Sequence, residues 1–214
     1  MKAKRSIFNI VFGLLSQLIS MGLGLVIPRL FLLNYGSENN GLVSSITQII
    51  VYMSLFEAGV GAASLQALYK PIVKNDKQGI SSILSATSIY YKRTGYYYFI
   101  AVILLALIYP AIVESSLNKL TVIVVVLFTG IPGAINYYFQ GKYRIFLSAE
   151  GKDYINASIL TGVNILNNIF KIVLLLNGFD IVAVQASYLA TTFIQIVIYQ
   201  IYFKNNYQWI NLKV

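Results

Sequence analysis

Two charged side chains lie inside otherwise apolar runs, and they are the first candidates for chemistry. Arg29 follows Pro28 directly, and Glu57 stands between Phe56 and Ala58. A charge at the centre of a bilayer costs a few kcal/mol or more, and less toward the edge. Arg29 therefore reads either as an anion-binding residue facing a water-filled cavity or as an arginine snorkelling to nearby headgroups. Glu57 shares a helical face with Ser54, Gly61 and Ser64. It reads as a carboxylate that binds a proton or cation, or as one hydrogen-bonded across a small-residue helix contact. Asn9, Gly13, Ser16, Gln17, Ser20 and Gly24 repeat at helical spacing. They form a polar and small stripe that would either line a cavity, with Asn9 and Gln17 touching substrate, or pack a neighbouring helix. Lys171 is a secondary candidate, near enough to the end of its run to snorkel.

These residues must be positioned by membrane helices. The chain has 214 residues, 57% hydrophobic and 11% charged, against about 25% charged in a soluble domain. Crossing the hydrocarbon takes roughly 20 apolar residues, and six such runs are legible, at 7–33, 42–68, 94–113, 120–139, 154–176 and 181–203. A polar turn at 34–41 separates the first two. Lys70-Pro71 is expected to halt the second helix, because proline disfavours a helical residue before it. Residues 80–93 carry Ile80, Ile83, Leu84, Thr87 and Tyr91 on one face and read as an interfacial helix. Residues 140–153 read as a polar loop. No strand-like alternation persists, so a β-barrel is not indicated. The expected fold is all-α, one bundle of six transmembrane helices.

The net charge of +9 sits between the apolar runs, which argues for bilayer orientation rather than nucleic-acid binding. With the N-terminus in the cytoplasm, Lys2, Lys4, Arg5, Lys70, Lys74, Lys77, Lys92, Arg93, Lys142, Arg144, Lys152 and Lys204 all fall on the cytoplasmic side. Both termini are then cytoplasmic. The basic N-terminus followed by an apolar run resembles a signal peptide, but the run is far longer than the 7–15 residues of a signal core, so it reads as a retained span. The chain has no cysteine and no histidine, which excludes disulfides, thiol nucleophiles and Cys/His metal sites. No metal or other cofactor is expected. Gly22-Leu23-Gly24 and Gly59-Val60-Gly61 follow no strand and do not make a nucleotide fingerprint. No paired carboxylates or nucleophile triad appear, so catalysis is not expected. Lys92-Arg93 at the inner boundary reads as an anchor that could touch anionic lipid.

The stretch from Ile27 to Gln48 (IPRLFLLNYGSENNGLVSSITQ) places an arginine before a glycine-containing hairpin. Leu55 to Gly61 (LFEAGVG) then carries Glu-x-Gly, and Leu68 to Ile72 (LYKPI) carries Tyr-Lys-Pro before a charged loop. That order resembles the Wzx-type polysaccharide flippases of the MOP (multidrug, oligosaccharidyl-lipid, polysaccharide) superfamily. Tyr143 to Ile155 (YRIFLSAEGKDYI) is a weaker match, similar to the loop before the fifth span. Motifs cover about a third of the chain, and the helix layout follows the rest.

The resemblance implies the N-terminal lobe of a MATE/MOP-like transporter in a bacterial plasma membrane. Family members have about 12 to 14 spans in two six-helix bundles, so the chain reads as a fragment, a disrupted gene product or a dimerising half. Its implied partners are a second six-helix half or a homodimeric copy, membrane lipids and an undecaprenyl-pyrophosphate-linked oligosaccharide. The implied activity is movement of that lipid from inner to outer leaflet by alternating access. Arg29 would contact the diphosphate, and Glu57 would serve ion coupling or bundle integrity. Two alternatives stand beside this reading. One is a MATE-like small-molecule exporter, which favours an acidic aromatic cavity; the other is a non-transporting membrane scaffold. The short outer loops argue against a polymerase or ligase.

Overall fold

The structure, a computed structural model, describes residues 2–210 and 212, with the side chains of 6–55, 61–210 and 212. The described chain is helical throughout apart from short connections. Six α-helices follow in order: α1 (Lys2–Met53), α2 (Ala58–Val73), α3 (Lys77–Ile112), α4 (Lys119–Ala149), α5 (Asp153–Leu176) and α6 (Ile181–Asn206). A single 3-10 turn, Ser54–Glu57, separates α1 from α2. Five of the helices, all but α2, are long and apolar enough to cross a membrane.

Helix α1 is two arms rather than one rod. Gly36 breaks it with φ 79° and ψ 174°, a conformation reserved essentially for glycine. Residues 2–35 run alongside α5 in parallel, through Asn9 to Tyr154, Ser16 to Thr161 and Tyr35 to Phe179, at sequence offsets of 145, 145 and 144. The chain from 37 onward runs antiparallel to α3: Ser45 bonds Tyr109, Tyr98 reaches Ile50, and Ser64 meets Thr87. Gly61 thereby returns to the end where Asp153 and Asn156 lie, so the chain reverses at Gly36. The bend is pinned from both sides. Tyr35 donates to the Phe179 carbonyl at 2.5 Å, and Glu38 accepts from the Ser116 N–H at 2.5 Å. The polar turn expected over 34–41 is thus compressed into one residue. Asn34 and Asn39 stay helical by donating to carbonyls four residues back, Leu30 and Tyr35.

Helix α4 touches every other helix. It packs antiparallel on α3, where Gly95 lies against Ala134 and Tyr138, Gly130 against Val102, and Gly141 against Tyr91. Small residues let two helix backbones approach without a hydrophobic driving force, which lipid cannot supply. α4 runs parallel to α6, joined by Gln195 donating to Gln140 at 2.6 Å. The end of the bundle at the Gly36 reversal is filled by Phe31, Leu42, Ile46, Tyr109, Val122 and Val125. The other end is filled by Leu68, Leu84, Phe146, Leu147, Tyr199 and Phe203. Around these cores the surface is apolar: Leu25 is 79% exposed, Leu33 73% and Leu107 60%. A soluble monomer does not present so continuous an apolar face, whereas hydrocarbon accepts it.

Four further sequence expectations are corrected. The span expected as one helix over 42–68 is interrupted at Ser54–Glu57. Lys70-Pro71 does not halt α2, which runs on to Val73; Pro71 lies in the last turn, where little helix remains to break. Residues 80–93 are not a separate interfacial helix. Their face continues without a break into the core stripe Tyr91, Gly95, Tyr98, Val102, Ala106 and Tyr109 of α3, so the same spacing packs on α4 throughout. Residues 140–149 are helix rather than loop, because Gln140, Gly141, Phe146 and Leu147 keep α4 buried to its end.

Helix starts are capped by short acceptors. Asp76 accepts from Gly79 N–H at 2.9 Å, Asn118 from Leu120 N–H at 3.2 Å, and Asp180 from Ala183 N–H at 2.8 Å. Each satisfies one of the unpaired N–H groups of a first turn. The end of the bundle at the α4–α5 connection is closed by a charged latch. Lys152 pairs with Glu150 at 2.6 Å and donates to the Tyr207 hydroxyl at 2.5 Å, while Tyr207 donates to Glu150. Burial, and next the Glu150 carboxylate, push the Tyr207 hydroxyl above its ordinary pKa, so it stays a protonated donor.

Candidate functional site

The interruption of the second arm is the feature around which a site can be built. A 3-10 turn within an apolar helix leaves its backbone carbonyls with poorer intrahelical bonds, which lipid cannot supplement. Here tyrosine hydroxyls reach two of them: Tyr98 of α3 donates to Ile50 O and Tyr137 of α4 to Ser54 O, both at 3.4 Å. Tyr98 and Tyr137 also meet edge to face, with ring centroids 5.2 Å apart. The two tyrosines thus set the 3-10 turn against both α3 and α4.

One turn beyond the break lies a cavity of about 220 Å³ where α2, α3, α4 and α5 meet, lined by Gly61, Tyr91, Gly141, Arg144, Asp153 and Asn156 among others. Gly61 and Gly141 make room for it by carrying no side chain. Asn156 is buried and fully engaged: it donates to the Arg144 carbonyl at 3.0 Å and accepts from the Tyr199 hydroxyl at 3.0 Å. Asp153 accepts from Ser148. Arg144 is exposed and lies within electrostatic reach of the Tyr188 and Tyr199 hydroxyls. No carboxylate among the described residues lies within ion-pair distance of its guanidinium. The arrangement offers a planar cation with forked donors, held at the mouth of a polar cavity, which suits a phosphate or diphosphate.

The residues singled out from the sequence do not converge. Asn9 accepts from the Tyr154 N–H at 2.8 Å and donates to Gly151 O at 3.3 Å. It therefore caps α5 from α1, where Lys152 at the cap position supplies no side-chain bond of its own. Ser16 bonds Thr161, so this part of the stripe packs a helix. Gln17, Ser20 and Gly24 stay exposed, and a methyl group at Gly24 would meet nothing within 4 Å. Arg29 is exposed, and at 100° per residue it falls on the side of α1 away from the Asn9–Ser16 face. Lys171 is half-buried on α5. The parallel register sets it level with residue 26, within one turn of Arg29 in depth. The Glu57 side chain lies outside the described residues; its backbone closes the 3-10 turn.

Arg144 and Asp153 were not singled out from the sequence because 140–153 read as a cytoplasmic loop, and Asn156 was not singled out within the span expected at 154–176. The signal was present in the spacing of Gly141, Ile145 and Ser148, which keeps one helical face small and half-polar past the apolar run. Comparison of the chain with models of known protein families, with curated proteins and with solved structures finds no match.

Proposed function

We propose that this chain is a six-helix half of a flippase that moves an undecaprenyl-pyrophosphate-linked oligosaccharide across a bacterial plasma membrane, with both termini cytoplasmic. The observation that carries the reading is the interrupted helix beside a polar cavity with Arg144 at its mouth. Discontinuous helices at membrane depth are where transporters build substrate sites. A diphosphate crossing a low-dielectric region needs cations on its way, and Arg144 at one end with Arg29 and Lys171 toward the other supply them at two depths. The long first arm leans on α5 and little else. Its open side, with Gln17 and Ser20, is the face a second bundle would cover.

The test is transport in proteoliposomes carrying the chain, with any second half it is co-expressed with, and a fluorescent lipid-diphosphate sugar. Loss of one charge-assisted contact weakens binding by roughly 1.5–3 kcal/mol, so Arg144→Ala is expected to slow flipping at least about tenfold. Arg144→Lys, which keeps the charge but loses the fork, should fall between. An unchanged rate for Arg144→Ala, or equal movement of an uncharged lipid-linked sugar, refutes the reading.

A further inference from the structure

On the flank of the bundle formed by α3 and α4, the tight crossing leaves an apolar groove of about 410 Å³ lined by Gly95, Tyr96, Phe99, Ile135, Tyr138 and Phe139. Its floor is rigid. A side-chain carbon added at Gly95 would lie 3.0 Å from the Ala134 carbonyl oxygen and 3.1 Å from the Tyr138 nitrogen, so the backbones there are already at contact. At the inner rim of the groove stand two lysines, Lys92 on α3 and Lys142 on α4. They are close enough to repel each other. Lys92 lies 5.8 Å from the centroid of the Tyr138 ring, which itself lines the groove, and Lys142 lies 5.0 Å from that of Tyr143. Lys142 also donates to Ser88 at 3.4 Å. No carboxylate among the described residues lies within ion-pair distance of either ammonium.

A half-buried lysine with a second lysine nearby and no acidic partner carries an electrostatic cost that an anion would reduce. Both lysines fall near the inner boundary of their apolar runs: after Lys92, and past Arg93, Thr94 and Gly95, hydrophobic residues begin at Tyr96, and before Lys142 they end at Phe139. The charged rim and the apolar groove therefore sit at headgroup and acyl-chain depth of one leaflet. We propose that this flank is a binding site for an anionic glycerophospholipid, its phosphate between Lys92 and Lys142 and one acyl chain in the groove over Gly95. The site lies on the outer surface of the bundle, apart from the Arg144 cavity, and does not depend on the flippase reading. A neutral zwitterionic lipid fits the groove but leaves the repulsion uncompensated, and a free phosphate fits the rim but not the groove.

The test is native mass spectrometry of the delipidated full chain, titrated with phosphatidylglycerol or with phosphatidylcholine of the same chain length. Each basic residue near an anionic lipid surface contributes enough that removing two should weaken binding on the order of thirtyfold. Phosphatidylglycerol is expected to bind at least about tenfold more tightly than phosphatidylcholine. Lys92→Gln with Lys142→Gln should abolish that preference, while Lys92→Arg with Lys142→Arg should keep it. Ile135→Trp, which fills the groove, should weaken both lipids. Equal binding of the two lipids by the unaltered chain, or a preference that survives the double glutamine change, overturns the proposal. So does displacement of phosphatidylglycerol by millimolar inorganic phosphate, which would make the rim a phosphate site and not a lipid site.

Discussion

Gly36→Ala is expected to destabilise the protein by about 1–3 kcal/mol, because an L side chain at that backbone conformation is strained whatever space surrounds it. The space is in fact open, with nothing within 4 Å of a Cβ at Gly36. The effect is therefore conformational and cannot be relieved by a neighbour moving aside. Two arms of the chain reverse at this residue, and its flanks are tied to the α5–α6 and α3–α4 connections through Tyr35 and Glu38. Relaxing the strain means opening the hairpin and giving up those ties. Denaturation in mild detergent, followed by the loss of helical signal, measures the change. Gly13→Ala is the matched control: it is also unobstructed, but it sits in ordinary helix, where alanine is favoured over glycine by up to about 1 kcal/mol. It should be neutral or stabilising.

Gly141→Ala should be as damaging for the opposite reason. A Cβ at Gly141 would lie 2.5 Å from Cε1 and 2.7 Å from Cγ of Tyr91, and that ring is 1% exposed. The tyrosine has nowhere to turn, since Tyr137 stacks near it with centroids 6.4 Å apart. Overpacking a well-filled contact costs about 1–3 kcal/mol, and here α3 and α4 must separate to accommodate it. If the clash is the cause, the two positions must be coupled. Gly141→Ala made in a Tyr91→Ala background should cost close to nothing, leaving a coupling of about 1–3 kcal/mol in a double-mutant cycle. Additive effects of the two changes would show that the contact is not the one that matters. The same residues wall the Arg144 cavity, so if the proposed flipping uses it, Gly141→Ala should slow it beyond what lost stability explains.

These two glycines show what could and could not be read from the chain alone. Apolar runs of sufficient length stand out in composition, which is why the cores of α3, α4, α5 and α6 were legible from residue types. Where the runs end was less so. Hydropathy reports the solvent around a helix, not whether the backbone stays helical, and α3 and α4 continue as helix well past their apolar stretches. Lys142 and Arg144 thus moved from a presumed loop onto a helix face. The break at Ser54–Glu57 was hidden for another reason: Ser54 and Glu57 keep helical spacing with Gly61 and Ser64, which reads as unbroken helix, and the tyrosines that reach its carbonyls, Tyr98 and Tyr137, are distant in sequence. Asn9 read as a cavity residue because a polar side chain on an apolar helix invites that reading. Its actual partner, the first turn of α5, is 145 residues away. Arg29 and Lys171 were visible as isolated charges, but only the parallel register of α1 and α5 places them at a similar depth.

The account rests on the bilayer being the solvent and on the chain reversing at Gly36. The absence of cysteine makes that directly measurable, since a thiol introduced at any one position is the sole target for a maleimide. In intact cells, an impermeant maleimide should label Ser37→Cys, Ser115→Cys and Asn177→Cys. Asn75→Cys and Asn205→Cys should react only after the membrane is opened. Labelling of Ser37→Cys and Asn75→Cys from the same side, or equal labelling of all five positions without permeabilisation, would contradict both the reversal and the membrane-spanning bundle.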